Sequence, residues 1–222
     1  MVTIIPAVLQ LQRQALEQEI ERMGKVSPFL HIDVTGSLVD AEPAAFSVND
    51  LSEVLSNDIL GLQYQVHLML TQEELKEWLP EIIEIDTVST IIIHHEVGLE
   101  EVLFYAQMIR SANKSVIVAL NPDAPLDAVD DYLGKVDGIM IMGVVPGQQG
   151  SPFEPETIDR VAHLHQQYPQ LNIVVDGAVS LEDQRAQKIV KAGADTLVVG
   201  SKIRDAHDPQ AVFDAFTAAV NK

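Results

Sequence analysis

The chain has 222 residues, 47% of them hydrophobic and none of them cysteine, and its 33 acidic against 14 basic side chains leave a formal net charge of −19. Disulfide staples and thiolate metal sites are therefore excluded, and apolar runs such as residues 90–93 fall far short of the ~20 residues that a membrane span needs. A surface of this sign repels nucleic acid and anionic lipid, which bind through clustered Lys and Arg, so neither is an expected partner. The first residues carry no basic segment ahead of their apolar ones, so a secretory leader is not expected and a cytoplasmic protein is.

Short apolar runs alternate with stretches of helical periodicity along the whole chain. A first strand is predicted over residues 4–8, followed by a helix over 10–23 with Leu11, Ala15, Leu16, Ile20 and Met23 on one face. The second strand, 29–34, runs into His31-Ile-Asp33-Val-Thr35-Gly36, and a loop containing Pro43 leads to a short helix near 49–55. Residues 64–69 form a third strand, after which Thr71 and Glu74 make the capping box of a helix ending at Leu79. The fourth strand (88–93) precedes a helix over 99–109. The fifth (115–120) closes on Asn121-Pro122 before a helix over 126–133. The sixth (138–142) is followed by a glycine-rich loop and a helix over 157–168. The seventh (173–175) stops at Asp176-Gly177. Leu181, Ala186, Ile189 and Val190 then mark a helix that ends at Gly193. The eighth (196–199) ends at Gly200-Ser201, and Asp208-Pro209 caps and starts a terminal helix reaching about Val220. Near-continuous apolar strands alternating with helices imply a parallel sheet covered on both faces. Eight such units without a linker or composition break predict a closed (β/α)8 TIM barrel, one domain spanning 1–222.

In such a barrel chemistry sits at the C-terminal ends of the strands. The polar residues there are His31 and Asp33 on the second strand, His67 on the third, His94 on the fourth and Asp176 on the seventh. The period-two alternation of a strand puts His31 and Asp33 on the same side, towards the barrel interior. Two imidazoles and two carboxylates gathered at one mouth suit a divalent ion, and mixed nitrogen and oxygen donors favour Zn, Fe, Mn or Co over Mg. Taken singly, a strand histidine is more often a packed core residue, so the expectation rests on the group. A second constellation is the glycines after consecutive strands: Gly147 and Gly150, Gly177 with Ala178, and Gly200 with Ser201. Loops after strands seven and eight are a common place for phosphate in this fold, and an acidic protein must hold an anion locally through backbone N–H groups.

These residues also resemble a known family. Leu30-His31-Ile-Asp33-Val34, Val66-His67-Leu68-Met69, Ala119-Leu-Asn-Pro122, Met142-x-Val-x-Pro-Gly147, Val175-Asp176-Gly177 and Ala192-Gly-Ala-Asp195 with Gly200-Ser201 are similar, in the same order and over nearly the entire chain, to ribulose-phosphate 3-epimerase. The resemblance implies a metal-dependent isomerase that interconverts D-ribulose 5-phosphate and D-xylulose 5-phosphate. His31, Asp33, His67 and Asp176 fall on the family's metal ligands, and Asp33 and Asp176 on its acid–base pair. Met69 and Met142 fall on its substrate wall, and the sugar phosphate is the expected partner of an enzyme expected to be a homo-oligomer. His94 matches a family position with no ligand role implied, which leaves it a structural or substrate-side residue.

Several residues depart from the family pattern. Ala7 stands where a serine usually contacts substrate, and Thr35-Gly36 replaces Met-Asp-Gly. The loop after strand six reads Val145-Pro-Gly-Gln-Gln-Gly-Ser151, and Ala178 replaces a glycine. These changes touch the substrate and phosphate contacts and spare the ligands. They leave room for a ketohexose 6-phosphate as substrate, or for a barrel that binds a phosphorylated ligand without turnover.

Overall fold

The computed structural model describes residues 1–39, 42–57, 61–146 and 152–221. Among them, eight strands form a closed parallel barrel in sequence order: β1 (Thr3–Leu9), β2 (Phe29–Thr35), β3 (Gln63–Met69), β4 (Val88–His94), β5 (Ser115–Leu120), β6 (Gly138–Met142), β7 (Ile173–Asp176) and β8 (Thr196–Val199). The ring closes where β1 pairs with β8, Thr3 opposite Thr196 through Pro6 opposite Val199. The helices between and after the strands are α1 (Arg13–Met23), α2 (Val48–Ser56), α3 (Gln72–Ile82), α4 (Leu99–Ser111), α5 (Val129–Tyr132), α6 (Glu156–Gln167), α7 (Arg185–Ala192), α8 (Ser201–Arg204) and α9 (Pro209–Val220).

Strand alternation sorts the side chains into two cores. The outward set, with Ile32, Val66, Ile91, Val118, Ile141 and Val175, packs beneath the helices. The inward set fills the barrel with Ala7, Ile92, Ile117, Ala119, Met140, Met142, Val174 and Val198. His31, Asp33, His67, His94 and Asp176 share the inward parity of this second set, so the strands that build the core also aim the polar groups.

The expected elements are present, with informative differences at their ends. The Thr71–Glu74 capping box forms, and Asp208 caps α9 through a bond to the Ala211 amide. Helix α3 continues past Leu79 through Pro80 to Ile82. A proline inside a helix costs about 3 kcal/mol. Carrying on buries Ile82 and Ile85 almost completely, and at about 1.5–3 kcal/mol for each buried side chain the packing offsets that cost. The helix predicted over 126–133 is a 3₁₀ turn, Leu126–Ala128, followed by the four residues of α5. The periodicity beginning at Leu181 is interrupted by left-handed residues Asp183 and Gln184, so α7 starts only at Arg185. Helix α8 has no counterpart in the predicted elements; at four residues it is too short to show a periodicity.

Candidate metal and proton-transfer site

Strand register assembles the site. In the β2–β3 pair His31 lies opposite Gln65 and Asp33 opposite His67, so two successive inward positions on each strand form a square of polar side chains. Across the barrel Asp176 ends β7, its backbone carbonyl accepting a 2.6 Å hydrogen bond from the amide of Gly143 at the end of β6. A side chain at Gly143 would stand 2.6 Å from the Gly177 carbonyl, so only glycine lets β6 lie this close to the Asp176 turn. Gly177 leaves that turn at φ 101°, and Ala178 follows at φ 50°. Left-handed backbone costs an alanine roughly 1–2 kcal/mol. Ala178 therefore holds a backbone conformation that glycine adopts more readily, with some strain.

His31 and His67 are fully buried, while the carboxylates of Asp33 and Asp176 reach the floor of an open cavity of about 650 Å³. One ligand atom from each of the four residues lies within 4.8 Å of the others. Asp33 Oδ1 is 3.1 Å from His31 Nε2 and 3.0 Å from His67 Nδ1, the two ring nitrogens are 3.4 Å apart, and Asp176 Oδ2 is 3.8 Å from His67 Nδ1. The other nitrogen of His31, Nδ1, is 2.8 Å from Gln65 Oε1. It donates there, which leaves Nε2 facing the group.

The two carboxyls are driven apart. Burial works against the charge of Asp33, but the adjacent His31, its hydrogen bond and that of His67 outweigh it and hold Asp33 well below the usual carboxylate range. For Asp176 burial dominates, the negative charge of Asp33 adds to it, and the carboxyl is pushed up to about 7. Burial likewise opposes the charge of His31, yet Asp33 and then Asp176 raise it to about 9. Burial lowers His67 to about 4, against its hydrogen bond to Asp33, which works the other way. Two carboxylates with separated proton affinities on one cavity floor are what acid–base work at neutral pH requires.

Met69 and Met142 line the cavity, as do Ala7 and Thr35 on the first two strands. Gly177, Ala178, Gly200 and Ser201, after β7 and β8, line it as well. Gly147 and Gly150 lie outside the described residues. The Asn121-Pro122 turn does not border the cavity; Arg160 of α6 braces it from outside through the carbonyls of Asn121 and Ala124. The sequence reading did not anticipate Gln65, although it stands two residues before His67 and strand alternation alone puts both on one face. Arg185, Lys202 and Arg204 were missed too, and they bring cations to the rim of a strongly acidic protein. Arg185 donates to the Ala178 carbonyl at 2.6 Å and lies 4.5 Å over the Phe153 ring, and Lys202 pairs with Glu182 at 2.6 Å. Spacing carries no signal for them, because in sequence they look like ordinary surface cations of two different helices.

A (β/α)8 barrel with two buried histidines and two carboxylates at the floor of its C-terminal cavity defines the class of the molecule. Residues 3–204 match the model of the ribulose-phosphate 3 epimerase family, and the chain belongs to that family. A relative from Schizosaccharomyces pombe named ribulose-phosphate 3-epimerase is 29% identical over 99% of this chain and 94% of its own length. One from Methanocaldococcus jannaschii, of the same name, is 30% identical over 91% and 84%. Among solved structures, 3-hexulose-6-phosphate synthase from Salmonella typhimurium superposes with a TM-score of 0.73 over 99% of this chain and 98% of that one. At 15% identity, that likeness concerns the fold alone.

Proposed function

We propose that the protein is a sugar-phosphate 3-epimerase that interconverts D-ribulose 5-phosphate and D-xylulose 5-phosphate through proton transfers by Asp33 and Asp176. The observation that carries this reading is the pair itself: two carboxylates from β2 and β7, on one cavity floor, one held ionised and the other able to keep a proton near neutrality. Asp33 removes the proton from C3, and its electron pair passes into the carbonyl to give a planar enediolate. Asp176 then delivers its proton to the opposite face of C3, and the pair resets by exchange with solvent. In the reverse direction the two swap roles.

The residues fit one divalent ion, which His31, Asp33, His67 and Asp176 would hold. The four donors converge, two buried carboxylates side by side call for a cation, and Gln65 orients His31 as a partner beyond the ligand does in known metal sites. When bound, the ion supplies Lewis-acid stabilisation of the negative charge that develops as the C3 proton leaves. The nitrogen and oxygen donors favour Zn, Fe, Mn or Co. Met69 and Met142 wall the reacting carbons. Gly177, Ala178, Gly200 and Ser201 take the phosphate end, with Arg185 and Lys202 supplying the positive field that the rest of the surface lacks.

In D₂O the metal-loaded protein should exchange deuterium into C3 of ribulose 5-phosphate, followed by NMR of the sugar. Exchange confined to a ketohexose 6-phosphate would move the substrate assignment, and absence of exchange with any ketose phosphate would falsify the enzyme reading.

A further inference from the structure

The floor carboxylates and the phosphate end account for two parts of a ketose phosphate, and its remaining hydroxyls need partners of their own. Apart from the floor and the residues after β7 and β8, the described residues lining the cavity are alkyl or thioether groups such as Ala7, Leu9, Met69 and Val198, with one exception, Thr35. Thr35 ends β2, opposite Met69 of β3 in the register. Alternation puts it on the inward face with Asp33, and two strand residues rise about 6.6 Å, so it stands one side chain nearer the mouth than the carboxylate. It is 3% exposed.

The Thr35 hydroxyl donates to the carbonyl of Glu42 at 2.9 Å, and the Thr35 carbonyl accepts from the Ala44 amide at 2.9 Å, so the side chain is held from both ends of the same loop. A hydroxyl has one proton and two lone pairs. With the proton committed to Glu42, the Thr35 oxygen can only accept. A ketone oxygen has nothing to donate to it, and neither has an ionised phosphate. An alcohol has. With the phosphate end assigned to β7 and β8, the far end of the sugar, C1, falls on the other side of the reacting carbon, towards β2 and β3.

We infer that Thr35 is a specificity-determining residue, which accepts a hydrogen bond from the C1 hydroxyl of the ketose. The inference rests on the epimerase reading of the same cavity and narrows its substrate to ketose phosphates with a hydroxymethyl end. A site that hydrogen-bonds a substrate hydroxyl discriminates against the analogue lacking it, because its own buried group is then left without a partner. Alkyl and thioether walls draw no such distinction. Thr35 is where this cavity can read the end of the sugar remote from the phosphate.

The test changes the protein and the substrate separately. The full-length, metal-loaded protein is given D-xylulose 5-phosphate or 1-deoxy-D-xylulose 5-phosphate, and kcat and KM for deuterium exchange at C3 in D₂O are read by NMR. The parent should favour the hydroxylated sugar by about 5–50-fold in kcat/KM, the scale of a buried polar group losing its partner. Thr35→Val keeps the shape and drops the hydroxyl. It should lower kcat/KM for D-xylulose 5-phosphate by that factor and leave the 1-deoxy sugar within about twofold, so that the preference vanishes. Thr35→Ser keeps a hydroxyl and should keep the preference. If Thr35 only holds the loop after β2 through Glu42, Thr35→Val slows both sugars alike, and the inference is overturned. A parent that does not distinguish the two sugars overturns it as well. In both cases turnover of D-xylulose 5-phosphate leaves the epimerase reading standing, whereas exchange with neither sugar removes that reading and this one with it.

Discussion

The four residues on the cavity floor differ in what each must give up before a cation can enter. Without an ion His31, at about 9, carries its second proton at neutral pH, and Asp176, at about 7, carries roughly half of one; Asp33 is already ionised and His67 already neutral. Ligands must be deprotonated, so binding releases protons. The apparent affinity for Zn²⁺ should rise about tenfold per pH unit between 7 and 9 and more steeply just below 7. Calorimetry in buffers of different ionisation enthalpy should count more than one proton released at pH 7. An affinity flat from pH 6 to 8.5 would contradict the ionisation of His31. The Asp176→Asn variant keeps the shape but cannot take or give the proton, and kcat should fall by about 10²–10⁴-fold with the circular dichroism spectrum unchanged. Normal turnover would end its assignment to the acid–base pair. At this scale the sequence was informative where alternation applies: His31-x-Asp33 had to face one side. It was silent on which partner each outer nitrogen meets, because Gln65 and His94 reach the ligands only across strand pairs.

Among the elements, α3 does more than cover the barrel. Glu74 caps its own helix through the amide and hydroxyl of Thr71, and it also accepts from the amide and hydroxyl of Ser37 in the loop after β2. A single carboxylate thus ties the start of α3 to the loop that follows the Asp33 strand. Glu74→Ala should cost about 1 kcal/mol, a typical cap loss, measured as a lower urea midpoint with an unchanged slope. These hydrogen bonds lower the Glu74 pKa despite the opposing effect of burial. A carboxyl depressed in the fold contributes stability that is present above its unfolded pKa and lost as pH falls through its folded one. The difference between variant and parent should therefore shrink below about pH 4; a gap that widened in acid would rule the capping account out. The capping box was readable in the chain as Thr71-x-x-Glu74. Its second use was not, since Ser37 lies 37 residues away.

For the whole molecule, the proposed ion binding would be coupled to folding, because the residues that would ligate the ion come from β2, β3 and β7 and meet only when the barrel is closed. An ion at a hundred times its dissociation constant stabilises the fold by about 2.7 kcal/mol. In a chain of this length that raises Tm by roughly 5–10 °C, with a chelator reversing it. A Tm indifferent to every divalent ion would argue against the site. Among the described residues no helix is long and apolar enough to cross a membrane. Glu81, Glu84, Asp86, Asp130 and Asp131 lie exposed on the acidic surface.

Local chemistry determines what the sequence discloses by itself. Strand alternation, helix periodicity and caps act over a few residues, so the eight units, their inward faces and the residues Asp33 and Asp176 were legible before any coordinates. Closure of β1 on β8, the near-parallel meeting of His67 and His94, the left-handed turn at Ala178 and the cations gathered at the rim are relations between distant segments. Register and packing decided them, because the forces that fix those contacts act between side chains that the chain order does not bring together.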